Sequence, residues 1–127
     1  MRTLSIGVDL VEIRRIERML ERFGNRSMRH LLTEREQEFC LRRPKAAQHV
    51  AGRVAGKEAS YKALQATANA AAIHWLEIEV VAANGGRPEL IFSGRAREAA
   101  ERLGVQESLI SISHSVDTAI ATVVLNG

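Results

Sequence analysis

The chain has 127 residues, 46% apolar and 26% charged, with a net charge of +3 at neutral pH. That length and balance fit a single domain, 1–127, with a core of its own, and no apolar run approaches the roughly 20 residues of a membrane span. Aromatic residues make up only 4% (Trp75, Tyr61, Phe23, Phe39 and Phe92), which counts against a nucleic-acid surface built on stacked bases.

Residues 5–8, Ser-Ile-Gly-Val, read as a short first strand with Asp9 at its end. From 10 to 23 the apolar residues Ile13, Ile16, Met19, Leu20 and Phe23 recur at helical spacing, and Gly24-Asn25 stops the run. Arg14, Arg18 and Arg22 form a row on its exposed side, with Arg15 beside it. Thr33-Glu34-Arg35-Glu36 has the form of a capping box, in which the Thr33 hydroxyl accepts from the Glu36 N–H while the Glu36 carboxylate reaches back. It opens a short helix that ends near Arg43, before Pro44. A long helix is expected over 46–70. It is rich in alanine but carries Gly52 and Gly56, each costing on the order of 1 kcal/mol against alanine. Their spacing marks a face where another backbone or a ligand comes close. Strands follow over 75–83 and 89–93, joined by a turn at Asn84-Gly85-Gly86. A helix over 94–103 is stopped by Gly104, and strands over 109–115 and 118–125 meet at Val116-Asp117. The order gives one α+β domain, an antiparallel sheet packed on a long central helix.

Asp9 is held by the strand it follows, and either caps the next helix or faces a ligand. Glu58 and Lys62 share one helical face; as a bare surface pair they are worth about 0.3–0.5 kcal/mol. Arg53 and Lys57 one turn away make that face rich in cations, and Gly52, Gly56 and Ala59 leave room beside it. Cations around a carboxylate suit a phosphate ligand with a hard metal ion, since Mg²⁺ takes one or two carboxylates and completes its shell with phosphate and water oxygens. His114, between Ser113 and Ser115, is either a phosphate contact or structural. No Gly-x-Ser-x-Gly elbow is present, and Gly85-Gly86-Arg87-Pro88 has no Walker signature behind it. Cys40 is the single cysteine, so a disulfide framework and a zinc cluster are excluded and a reducing cytoplasm is the expected compartment. The first ten residues, interrupted by Asp9, do not read as a targeting segment.

Five segments stand out together. They are Ile6-Gly7-Val8-Asp9-Leu10-Val11-Glu12; Leu32-Thr33 with Glu36; Arg53-Val54-Ala55-Gly56-Lys57-Glu58-Ala59 with Lys62-Ala63-Leu64; Asn84-Gly85-Gly86-Arg87-Pro88; and Ile112-Ser113-His114-Ser115 with Ala119 and Ala121 beyond. In this order and spacing, over nearly the whole chain, they resemble the holo-acyl-carrier-protein synthases, the short branch of the 4′-phosphopantetheinyl transferase superfamily. The resemblance implies that fold and an enzyme that moves 4′-phosphopantetheine from coenzyme A to a serine of an acyl carrier protein of fatty-acid or polyketide synthesis, releasing 3′,5′-ADP. It implies Mg²⁺ held by Asp9 and Glu58 against the coenzyme A diphosphate, with Lys62 at the phosphates, so that Asp9, Glu58 and Lys62 form the catalytic group. Lys45, Arg53, Lys57, Lys62, Gly86, Arg87, Pro88 and His114 would then hold coenzyme A. Family members form trimers with sites between subunits, so a neighbouring chain would supply part of that set. Arg15, Met19, Arg22 and Arg26 would dock the acidic carrier protein, the arginines steering and Met19 giving an adaptable apolar anchor.

The sequence departs from the family in three places. Gln65-Ala66-Thr67 stands where a Gly-Thr-Gly turn is usual, and Val54 and Thr118 stand where aromatics are common. Two alternatives therefore stay open: a non-catalytic coenzyme A or carrier-protein binding module of the same fold, and a basic nucleic-acid-binding domain. The intact Asp9, Glu58 and Lys62 oppose the first. The scarcity of aromatics and the absence of a nucleic-acid motif oppose the second.

Overall fold

One long helix lies against two antiparallel sheets in the computed structural model, which describes residues 1–65 and 72–127. Strands β1 (Thr3–Glu12), β2 (Ile78–Ala82), β3 (Pro88–Phe92), β4 (Glu107–His114) and β5 (Thr118–Asn126) alternate with helices α1 (Ile13–Phe23), α2 (Glu34–Leu41), α3 (Ala46–Leu64) and α4 (Gly94–Leu103). The larger sheet has the order β1-β5-β4, and β2 and β3 form a hairpin. This is the expected α+β class, with an antiparallel sheet on a long central helix.

The alternation of β5 builds the core. Ala119, Ala121, Val123 and Leu125 are all buried, and the residues between them point the other way. The two alanines leave room for α3, which is small or apolar on almost every side: Val50, Ala51, Val54, Ala55, Ala59, Ala63 and Leu64 are buried. Gly7 lets β1 come just as close, because a Cβ there would lie 1.9 Å from the Ala59 carbonyl oxygen. The Ser5 hydroxyl fixes the same contact by donating to the Ala63 carbonyl at 2.7 Å.

The capping box at α2 forms as the sequence predicts. The Thr33 hydroxyl accepts from the Glu36 N–H at 3.3 Å, and the Glu36 carboxylate accepts from the Thr33 N–H at 2.8 Å. Gly104 ends α4 at φ 87°, in the left-handed region open to glycine. Other expectations are revised. β1 runs to Glu12, because its ladder with β5 continues from Asp9↔Ala121 to Glu12↔Thr118, and α1 therefore starts at Ile13 rather than at residue 10. Residues Trp75–Glu77 are a 3-10 turn rather than strand. The Glu77 carboxylate accepts from the N–H groups of His74 (2.8 Å) and Arg95 (2.7 Å), bending the chain before β2 begins. Gly52 and Gly56 face the side chains of Ile112, Ile110 and Val80, not a backbone or a ligand. α3 closes at Leu64 with Gln65 as its cap; the expected continuation to 70, and with it Ala66-Thr67, lies outside the described residues.

Candidate active site

Asp9 lies within β1, on the face that turns towards α3, and is partly buried. It is not a helix cap: the N-cap of α1 is Glu12, whose side chain makes no capping bond. The Lys62 ammonium donates to the Asp9 carboxylate at 2.8 Å and reaches the Val8 carbonyl at 3.4 Å. Its hydrogen bond to Asp9, and then the charge of Asp9, raise the Lys62 pKa above its ordinary value. Glu58 stands one helical turn before Lys62 and is half-buried. Burial pushes its pKa up, the charge of Asp9 pushes it further, and the charges of Lys62 and Arg15 work against both. Asp9, Lys62 and Arg15 thus all act on Glu58, although β1, α1 and α3 each supply part of the group.

Two half-buried carboxylates partly offset by one ammonium make a hard, oxygen-only donor set. Among the described residues there is no cluster of three or more His, Cys, Asp or Glu to compete with it. Such a pair fits an Mg²⁺ ion whose remaining positions are filled by phosphate and water oxygens.

A second cluster lies at the other end of α3. Lys45, Gln48, His114 and Ser115 line a cavity of about 760 Å³ that Asp9, Glu58 and Lys62 do not reach. The Gln48 side-chain nitrogen is 2.9 Å from His114 Nε2. His114 Nδ1 is 3.4 Å from the Ser115 carbonyl. The sequence reading missed Gln48. Its place one turn before Gly52, in the first turn of the helix that follows Lys45, is the signal the sequence offers. Gly86 and Arg87 are exposed at the end of the β2–β3 hairpin and Pro88 is half-buried as β3 begins, where the Ala83 N–H donates to the Arg87 carbonyl at 2.8 Å.

The expected row of cations on the Glu58 face does not form. Lys57 is 0% exposed, and its ammonium pairs with Glu36 at 2.7 Å inside the protein. A residue enclosed in this way cannot reach a bound phosphate, so Lys57 is not a coenzyme contact. Arg53 is only 8% exposed, and its guanidinium lies 4.1 Å from the centre of the Phe39 ring, which Arg43 also covers at 3.5 Å. Its Nε is buried without a hydrogen-bond partner among the described residues, and burial lowers its pKa. On α1, Arg15 and Arg22 are exposed and Met19 is half-buried against the core. Arg26 lies exposed in the 3-10 segment Asn25–His30 that follows.

Residues 5–123 match the family model of the 4′-phosphopantetheinyl transferase superfamily, a span that contains Asp9, Glu58, Lys62 and His114. The chain belongs to that superfamily. Among its transferase relatives, a holo-[acyl-carrier-protein] synthase of Herpetosiphon aurantiacus is 43% identical over 126 residues, which is 95% of this chain and 97% of that protein. The crystal structure of holo-[acyl-carrier-protein] synthase from Neisseria meningitidis is similar with a TM-score of 0.84 at 29% identity, covering 98% of this chain and 99% of that one. The synthase of Bacillus anthracis, solved in complex with coenzyme A (3′,5′-ADP), has a TM-score of 0.77 at 35% identity, covering 98% of this chain and 97% of that one.

Proposed function

We infer that the chain is a holo-[acyl-carrier-protein] synthase, which transfers 4′-phosphopantetheine from coenzyme A to a serine of apo acyl carrier protein. Relatives of that name match it over nearly its whole length, and similar structures bind coenzyme A. The observation that carries the reading is the convergence of Asp9, Glu58 and Lys62 at one half-buried place.

In the reaction the serine oxygen bonds to the phosphorus that bears the pantetheine arm. The bond from that phosphorus to the bridging oxygen breaks, 3′,5′-ADP departs, and the serine proton is released. Asp9 and Glu58 are the residues that would hold Mg²⁺, which supplies positive charge at the diphosphate. The Lys62 ammonium, tethered one turn from Glu58, stabilises the charge that grows on the phosphoryl oxygens. Lys45, Gln48 and His114 form the polar cavity that suits the nucleotide end, with Gly86, Arg87 and Pro88 as a further contact. Arg53, already seated against Phe39, shapes the inner wall on that side. Arg15 joins the acidic pair to the basic face of α1, so a carrier docked on Arg15, Met19, Arg22 and Arg26 presents its serine next to Glu58.

The assembly that completes the site is a homotrimer. The outer face of the β1-β5-β4 sheet exposes Ile6 (63%), Val8 (49%) and Leu10 (63%), an apolar strip of the kind that marks an interface. The cytoplasm is the compartment that goes with these substrates. Cys40 fits it, since burial pushes its thiol pKa up to about 11 and keeps it unreactive.

The test is incubation with coenzyme A, Mg²⁺ and apo carrier protein, read by intact mass. The carrier gains one phosphopantetheine group. Asp9→Asn and Glu58→Gln each keep the fold by circular dichroism and lower the rate about a hundredfold or more. Near-normal turnover in either variant would remove its metal role. No mass gain with several carriers would leave a binding module.

A further inference from the structure

We propose that Lys57 is a positioning residue for this site: buried beneath Glu58, it holds the Trp75–Ile78 segment in place as the wall of the cleft in which Glu58 acts. The proposal rests on the functional reading above.

Neighbouring residues of a helix point in different directions, and here the pair splits across the surface. Glu58 faces the cleft, whereas Lys57 is wholly enclosed. The Lys57 ammonium uses all three of its protons, to the Glu36 carboxylate at 2.7 Å, the Trp75 carbonyl at 2.9 Å and the Ile78 carbonyl at 2.6 Å. Glu36 is equally enclosed and accepts from the N–H groups of Thr33 (2.8 Å) and Val80 (2.9 Å). One ion pair thus ties α2, α3 and the entry of β2 together.

Stability alone does not call for charges there. Removing two ions from water is costly, and apolar side chains of similar volume commonly hold such elements together as well or better. What the ammonium supplies, and a methyl group cannot, is a fixed direction for two particular carbonyls. Those carbonyls belong to Trp75 and Ile78, which line a cavity of about 220 Å³ together with Glu58, Tyr61 and Ile73. The wall begins in a 3-10 turn of three residues, too short to hold its own shape. Lys57 is the side chain that fixes it to the helix that carries Glu58. The rest of the lining is His74, next to Trp75 in the same wall.

The experiment compares wild type with Lys57→Met and with the double variant Glu36→Gln/Lys57→Met. The single variant strands a buried carboxylate and is expected to melt early. The double variant removes both charges at nearly constant volume and keeps the fold, although the glutamine has one acceptor oxygen where Glu36 uses two, so one backbone N–H is left unpaired and the melting temperature falls by a few degrees. In the double variant the kcat/KM for coenzyme A falls about tenfold to a hundredfold, the KM for carrier protein stays at the wild-type value, and the melting temperature stays well above that of the single variant. Trp75 is the chain's single tryptophan, so its acrylamide quenching reports on the wall directly, and it rises in the folded double variant. An unchanged kcat/KM for coenzyme A with unchanged quenching would overturn the proposal. So would equal losses towards both substrates with early melting, because that is general loosening. If wild type itself transfers nothing, the functional reading fails, while the quenching comparison still decides whether Lys57 holds the wall.

Discussion

Lys57 and Lys62 belong to one helix and to one motif, yet the first is enclosed and the second is 51% exposed and paired with Asp9 at 2.8 Å. The difference matters for the metal. In the coenzyme-free protein the Lys62 ammonium already offsets the charge that Asp9 and Glu58 offer to a divalent ion, so the ion has to displace it. Lys62→Met should therefore bind Mn²⁺ about three- to tenfold more tightly than wild type in the absence of coenzyme A, with the gain shrinking at high salt. Transfer should fall at the same time, because the charge at the phosphates is lost. Electron paramagnetic resonance titration of free Mn²⁺ reads the affinity without any turnover. Equal or weaker binding would mean that Lys62 does not share the metal's place. At this scale the sequence pointed to Asp9, Glu58 and Lys62, which the structure brings together, but it placed Lys57 on the same outer face. A helix that is small or apolar all round has no polar stripe to say which of its lysines faces water, and the burial of Lys57 is decided by Glu36, far away in the chain.

At the scale of elements, the site depends on how closely β1 and α3 approach. Asp9 comes two residues after Gly7, and Glu58 immediately precedes Ala59, whose carbonyl oxygen would lie 1.9 Å from a Cβ on Gly7. Gly7→Ala cannot be absorbed by a side-chain rotation, because the obstacle is backbone. It should cost about 1–3 kcal/mol in urea unfolding, and the protein that remains folded should bind Mn²⁺ less well, since the two carboxylates are pushed apart. Wild-type stability together with wild-type metal affinity would show that the contact is not what sets their spacing. Most elements were legible because their signals are local: the box at Thr33 and Glu36, the turn at Asn84-Gly85-Gly86, the stop at Gly104. The misreadings have distant causes. β1 extends to Glu12 because β5 continues to pair with it. Trp75–Glu77 turns because the Glu77 carboxylate serves the start of α4 at Arg95. The spacing of Gly52 and Gly56 announced a close approach but not its nature, and the structure fills it with isoleucine and valine side chains.

For the whole molecule, the residues of the proposed site fall in two separate places on one chain. The acidic pair with Lys62 lies beside β1, whereas Lys45, Gln48 and His114 line a cavity that includes none of them. The outer face of the sheet leaves Ile6, Val8, Leu10 and Leu109 exposed. On the proposed reading, closure of that face against other copies would bury the strip and bring the acidic cluster of one subunit to the Lys45–His114 cavity of the next, a head-to-tail contact that would close as a ring of three. Subunit mixing tests this directly. Asp9→Asn lacks a competent acidic half, and His114→Ala lacks a competent nucleotide half, so each assembles but transfers poorly alone. Co-refolded in equal amounts, they should recover about a quarter of the wild-type rate, because random assembly pairs an intact acidic half with an intact nucleotide half at about one interface in four. Light scattering should give the mass of three chains for the mixture and for each parent. If the mixture is no faster than the sum of its parents while the three-chain mass persists, both halves of a working site come from the same subunit.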